Sequence, residues 1–230
     1  MVIECIGLPG SGKSFLMEKL RRALQRQGYR CVNVSELCMT SPAAKAARKL
    51  LRAGAWMDAD ARKLRADLEE ILCAGAPVRS RFGIYEDARY TETTAAVLCK
   101  LYPRMMRAKT VFLFDEGLVH ALVKYSADSL LPKETFSALC TRTERELQRA
   151  AGRRLVVHNH ITVGDCIRSI EKRDRHICAF DELRGQTLRG ILEAYQTYTT
   201  QYDDTYHACR VERRAPMKGK LAKILAEVHF

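Results

Sequence analysis

One octapeptide constrains this chain more than any other feature: Gly7-Leu8-Pro9-Gly10-Ser11-Gly12-Lys13-Ser14. It follows a short apolar run, Met1–Ile6, which contains β-branched residues and ends against a glycine, as a buried strand does. It leads into Ser14–Gln27, where Phe15, Leu16, Leu20, Ala23 and Leu24 recur at helical spacing and Gly28 marks the stop. Glycines let such a strand-to-helix turn bend tightly and direct successive N–H groups inward, and the helix start adds its positive end. That arrangement suits a chain of phosphates. The spacing Gly-x-x-x-x-Gly-Lys-Ser assigns Lys13 to the β- and γ-phosphates and the Ser14 hydroxyl to Mg²⁺. Gly7, Pro9, Gly10, Ser11, Gly12 and Phe15 complete the expected cradle for ATP.

The rest of the chain alternates strand and helix patterns. Tyr29–Val34 reads as a second strand, and Pro42–Leu51 and Asp58–Cys73 as helices. A break at Gly75-Ala76-Pro77 leads to the basic Arg79-Ser80-Arg81 and then to an expected helix over Ala88–Met106. Thr110–Phe114 is an apolar strand, Lys133–Ala150 an amphipathic stretch and Arg154–His158 a fourth strand. Asp165–Lys172 reads as a helix, Gln186–Tyr202 as a long one, His207–Val211 as a fifth strand and Gly219–Val228 as a closing helix. Strands alternating with helices imply a parallel sheet covered on both faces. With no internal repeat or low-complexity linker, the expectation is one domain over 1–230 with inserted helical lobes.

Two further clusters carry chemistry. Thr110–Phe114 runs into Asp115-Glu116, placing two carboxylates at the strand's C-terminal end, the edge where open α/β sheets bind ligands. One carboxylate there can hold Mg²⁺ together with Ser14, and the expectation gives that place to Asp115; Glu116 can accept a proton. Two ordinary acids at a helix start would look the same. Arg168, Arg173 and Arg175 lie in a basic segment after the fourth strand. A solvated helix face would also explain them, but arginines on a mobile loop can close over phosphates and neutralise the charge that spreads during phosphoryl transfer.

Composition narrows the partners. The formal net charge is +12, spread along the chain instead of massed in a tail, which allows a nucleic-acid surface, an acidic membrane surface or a cleft for anionic small molecules. No run approaches the ~20 apolar residues of a membrane span, and the N-terminus does not read as a signal peptide. The nine cysteines are scattered without a Cys-x-x-Cys pair, as reduced thiols are, so a cytoplasmic protein without a metal cluster is expected. His158-Asn159-His160 spells a nuclease motif, but neighbours on a strand point to opposite faces. Tyr195, Tyr198, Tyr202 and Tyr206 read as helix packing, and Trp56 as a packing anchor.

With these residues in place, the chain resembles the nucleoside and nucleotide kinase superfamily, especially its thymidylate-kinase-like and deoxynucleoside-kinase-like branches. GLPGSGKS, FLFDEG at 112–117 and IRSIEKRDR at 167–175 carry the resemblance. It implies a three-layer α/β P-loop fold with a five-stranded parallel sheet and helices on both faces. It also implies a helical substrate-binding region over about 40–107 and an arginine-rich lid over about 168–185. Lys13 and Ser14 match the phosphate lysine and magnesium hydroxyl, Asp115 the strand-ending acid, and Arg168, Arg173 and Arg175 the lid. Glu36, just after the second strand, stands where deoxynucleoside kinases carry a catalytic carboxylate. These families usually place arginine after the strand-ending acid, and Glu116 occupies that position here. The change favours a hydroxyl acceptor, although Arg79, Arg81, Arg104 and Arg107 could serve an anionic one.

The resulting expectation is an ATP- and Mg²⁺-dependent kinase for a nucleoside-, nucleotide- or sugar-like acceptor, with Glu36 or Glu116 as base. Nucleic acid and membrane are not expected partners, and a homodimer is an allowed assembly. An ATPase or nucleotide switch is the alternative, with a nucleic-acid module third; neither an Asn-Lys-x-Asp nor a Leu-Ser-Gly-Gly-Gln signature is present.

Overall fold

Parallel strands covered on both faces need apolar residues at nearly every position. β1 (Val2–Ile6) and β3 (Thr110–Phe114) meet that demand, with every residue buried. The computed structural model describes residues 1–34, 46, 49–50, 53–75, 97–98, 109–151, 153–172 and 183–228. Its sheet adds β2 (Arg30–Asn33), β4 (Arg154–His160) and β5 (Cys209–Glu212) in the order β2-β3-β1-β4-β5, and all neighbours are parallel. Register aligns Ile3 with Leu113 on one side of β1 and with Leu155 on the other. β1, which delivers the glycine loop, is thus central, flanked by the acid-bearing strand and by β4.

The helices are α1 (Lys13–Arg26), α2 (Ala59–Gly75), α3 (Leu118–Ser129), α4 (Lys133–Ala151), α5 (Val163–Glu171), α6 (Gly185–Tyr206) and α7 (Met217–Ala226). Alternate strand residues face opposite layers. Ile3, Cys5, Val111, Leu113, Val157 and Val211 pack with Leu16, Leu20 and Leu24 of α1 and Ile224 of α7. Val2, Ile6, Phe112, Phe114 and Val156 face α3, α4, α5 and α6. Leu16, Leu20 and Leu24 are at most 1% exposed, and burying each such side chain stabilises the fold by about 1.5–3 kcal/mol. The expected five-stranded sheet with helices on both faces is the fold observed, and the octapeptide joins β1 to α1 as expected.

The sequence pattern misses α3 altogether. Nine of its residues are buried, including His120 and Ser126. A helix enclosed on most sides has no polar face for a periodicity to reveal. β4 also runs two residues past the expected end, to His160. On it Asn159 turns to the loop side while His158 and His160 face the other layer, their rings edge-on at 5.5 Å and bonded to Asp203 and Glu212 respectively, so the triplet does not converge on one site. Tyr195, Tyr198 and Tyr202 of α6 are buried in packing, as expected. Trp56 is 58% exposed, with the Arg65 guanidinium over its ring. The expected helices over 42–51 and 88–106 fall almost wholly outside the described residues. Among the described residues no helix is long and apolar enough to cross a membrane.

The α3–α6 layer holds a buried ionic group at its centre. Glu4 lies mid-strand in β1, where Arg154 Nη2 donates to its Oε2 at 3.0 Å and the His120 backbone N–H donates to its Oε1 at 3.1 Å. Arg154 also donates to Glu144 of α4 at 2.6 Å, and the Tyr202 hydroxyl of α6 donates to the same carboxylate at 2.6 Å. Burial pushes the Glu4 carboxyl upward, while Arg154 and the His120 amide pull it back. Removing one partner of such a pair leaves buried charge uncompensated. Arg154→Met is therefore expected to lower unfolding free energy by about 3–5 kcal/mol, read from the urea midpoint; a loss under about 1 kcal/mol would mean the group is not holding the layer.

Candidate functional site

The loop between β1 and α1 takes backbone angles that glycine adopts freely: φ is +140° at Gly7, +82° at Gly10 and +86° at Gly12. It is tied on its oxygen side. Cys166 Sγ donates to the Pro9 carbonyl at 2.7 Å and Ser169 Oγ to the Gly10 carbonyl at 3.3 Å, both from α5. Asn159 Nδ2, at the end of β4, donates to the Ser11 carbonyl at 2.8 Å. A trans peptide points its C=O and N–H in opposite directions. Tying the Pro9 and Ser11 oxygens thus turns the Gly10 and Gly12 N–H groups away from α5 and β4. The Ser11 N–H closes an internal turn on the Leu8 carbonyl at 3.1 Å. The first-turn amides of α1 have no partner within their own helix and extend the row of donors.

Lys13 lies in this row, buried at 6% exposure. Its Nζ donates to the carbonyls of Gly7 (3.1 Å) and Leu8 (3.3 Å) and stands 3.4 Å from Glu116 Oε1. The two carboxylates after β3 differ sharply in surroundings. Asp115 has a buried Oδ1 with no hydrogen-bond partner. Burial pushes its pKa up, with the Ser14 hydroxyl and Lys13 pulling the other way. A buried carboxylate oxygen without a partner beside a serine hydroxyl fits a hard divalent cation such as Mg²⁺, which takes oxygen ligands. Glu116 is pulled well below the ordinary carboxylate range by His120 and, against its own desolvation, by Lys13. His120, in α3, is 6% exposed, and burial holds its imidazole below its usual range.

Gly117 fixes where the acids sit. A Cβ there would lie 2.2 Å from the Glu4 side chain, so the turn after β3 closes directly over the buried ionic group. Glu4 also accepts from the His120 amide, so one carboxylate anchors both the turn and the start of α3.

The structure thus brings together Lys13, Ser14, Asp115 and Glu116 around the loop of Gly7, Pro9, Gly10, Ser11 and Gly12. Phe15 follows on α1, 60% exposed with Lys19 over its ring. Arg168 lies in the last turn of α5, ion-paired with Asp165 on the solvent side; Arg214 shares that aspartate. Glu36, Arg173 and Arg175 lie outside the described residues, as do Arg79, Arg81, Arg104 and Arg107 and much of the expected substrate and lid regions. Sequence reasoning missed Asn159, Cys166 and Ser169, which hold the loop, and His120, which faces Glu116. Only Asn159 left a signal, as the amide of the His158-Asn159-His160 triplet just past the expected end of the fourth strand. A surface groove of about 670 Å³ between α4 and α6, lined by Lys133, Ser137, Thr141, Arg142 and Gln201 among others, includes none of the loop or acidic residues.

No family model matches the chain, and no curated protein does. Among solved structures it is similar to deoxyadenosine kinase from M. mycoides. The form with bound dATP gives a TM-score of 0.48 at 14% identity, covering 99% of this chain and 98% of that one. The form with bound dCTP gives 0.45 at 14% identity over the same shares, and a form with dCMP and dCDP gives 0.42 at 13%, over 99% and 97%. The chain's own loop, its parallel sheet and the acids ending β3 make this a three-layer P-loop fold.

The tightest point of the loop is Gly7, where a Cβ would meet the Asn159 carbonyl oxygen at 2.6 Å and φ is +140°. Gly7→Ala is expected to cost about 1–3 kcal/mol in strain alone, seen as a lowered Tm. It should also weaken nucleotide binding, because relieving the clash moves Asn159 off the Ser11 carbonyl. An unchanged Tm with unchanged affinity would show that the loop is not held as tightly as described.

Proposed function

We propose that the protein is an ATP- and Mg²⁺-dependent kinase that transfers a γ-phosphoryl group to a small acceptor, a nucleoside-, nucleotide- or sugar-like molecule. One observation carries the reading. A loop of aimed amides, a buried lysine and a partnerless buried carboxylate oxygen converge at the C-terminal edge of β1 and β3. Hydrolysis alone needs little more than this; acceptor transfer is favoured because the order of loop, acid-ending strand and basic segment resembles that of nucleoside and nucleotide kinases.

In this reading the loop amides and Lys13 bind the β- and γ-phosphates and draw charge off the bridging oxygen as it leaves. Ser14 and Asp115 would hold Mg²⁺, which when bound supplies charge neutralisation across the phosphates. An acceptor hydroxyl oxygen attacks the γ-phosphorus in line, the bond to the β-phosphate oxygen breaks, ADP leaves and the hydroxyl proton passes to a carboxylate. Glu116 is already engaged by Lys13 and His120, which makes it a weak base. Glu36, which the resemblance places where deoxynucleoside kinases carry a catalytic carboxylate, takes the role instead. Arg168, Arg173 and Arg175 belong to the lid, Arg168 leaving Asp165 as it closes. No nucleic acid or membrane takes part, and the protein works in the cytoplasm, alone or as a homodimer.

The test is ADP release from Mg·ATP across a panel of nucleosides, nucleoside monophosphates, sugars and small alcohols. Acceptor-dependent release that Lys13→Ala abolishes is the expected result, with Asp115→Asn lowering the rate by about 10²-fold or more. Release at the same rate without any acceptor would replace the kinase by an ATPase. Undiminished transfer by Lys13→Ala would end the assignment.

A further inference from the structure

Glu116 puts a carboxylate beside the lysine of the phosphate loop, and Lys13 and His120 flank it. Lys13 Nζ has three protons. Two go to the Gly7 and Leu8 carbonyls, and Glu116 Oε1 lies 3.4 Å away for the third. On its other side the same Oε1 is 3.3 Å from His120 Nε2. The Tyr195 hydroxyl of α6 stands 3.2 Å from His120 Nδ1 and 2.9 Å from Nε2.

A carboxylate only accepts, so the Nε2 edge of His120 faces Glu116 with its proton. The Tyr195 hydroxyl lies nearer Nε2 than Nδ1 and holds the ring in that orientation. His120 and Tyr195 are buried, so neither can turn to water instead. Glu116 is itself 59% exposed and would otherwise sample solvent.

We infer that His120, oriented by Tyr195, is a positioning residue that holds Glu116 as a resident counter-ion on Lys13, so that a triphosphate must displace a carboxylate to reach the lysine. Glu116 then acts as a gate on the loop and His120 as its hinge-post. Any anion that engages Lys13 bears the cost of displacing this carboxylate, and a polyphosphate offsets it with the further contacts the loop amides offer. This rests on the reading of the loop as a triphosphate site.

The experiment is calorimetric titration of the full chain with Mg·ATP, run as a double-mutant cycle. Glu116→Gln and His120→Leu are each expected to tighten binding about twofold to fivefold, the worth of a partly exposed ion pair. His120→Leu placed on Glu116→Gln should add nothing, and His120→Gln, which keeps an N–H donor, should return to wild-type affinity. Tyr195→Phe should shift affinity in the same direction and also fall silent on Glu116→Gln; it carries the cycle if His120→Leu does not fold. Weaker or unchanged binding in either His120→Leu or Glu116→Gln, or effects that add in the double variant, would overturn the inference. A wild-type chain that binds Mg·ATP but transfers nothing removes the kinase reading and leaves this cycle decisive. One that binds no ATP overturns both.

Discussion

Glu4 is the residue on which the arrangement turns. It is a carboxylate in the middle of the central strand, and its burial is tolerable only because Arg154 and the His120 amide complete it. Each partner belongs to a different part of the fold. Arg154 opens β4 and reaches Glu144 of α4, whose carboxylate also takes the Tyr202 hydroxyl of α6. His120 lies in the first turn of α3, and Gly117 presses on the Glu4 side chain from above. One ionic group therefore sets where two strands and three helices meet. It also sets the height at which Asp115 and Glu116 emerge beside the loop.

The loop and the strand acids were legible in the sequence because their signals are local. Lys13 and Ser14 are recognisable from spacing with Gly7 and Gly12, and Asp115 from the apolar strand before it. Of the sheet's strands, β1 and β3 were legible for the same reason, as short, mostly apolar runs. What the sequence concealed is whatever depends on partners far along the chain. Glu4 sat inside an apolar run and passed for noise, although a lone carboxylate in a buried strand must have a partner somewhere. Arg154 is that partner, 150 residues away. His120 was hidden with the whole of α3, whose burial on most sides erases the periodicity a surface helix shows. Cys166 and Ser169 touch the loop only because α5 folds back on it, which no spacing announces.

Charge is distributed at the site with more economy than the formal +12 of the chain suggests. The basic residues placed close to the acids are mostly paired: Arg154 with Glu4 and Glu144, Arg168 and Arg214 with Asp165, Lys13 with Glu116. Among the described residues, further basic side chains such as Arg26, Lys133, Lys172 and Lys218 are exposed, where they raise the local concentration of anions without fixing any one of them. Attraction at long range and selection at short range are thus handled by different residues.

The ties on the loop's carbonyl oxygens carry a consequence for how portable this octapeptide is. Gly7–Ser14 supplies the donors, but Asn159, Cys166 and Ser169 decide where two of them point. Cys166 and Ser169 are three apart, on one face of α5, so each must be small enough to sit against backbone and still donate a hydrogen. Drift in that face would misdirect the amides while leaving every letter of the glycine motif intact. A graft of the octapeptide onto another strand-to-helix junction would inherit the spelling of the site and lose its aim.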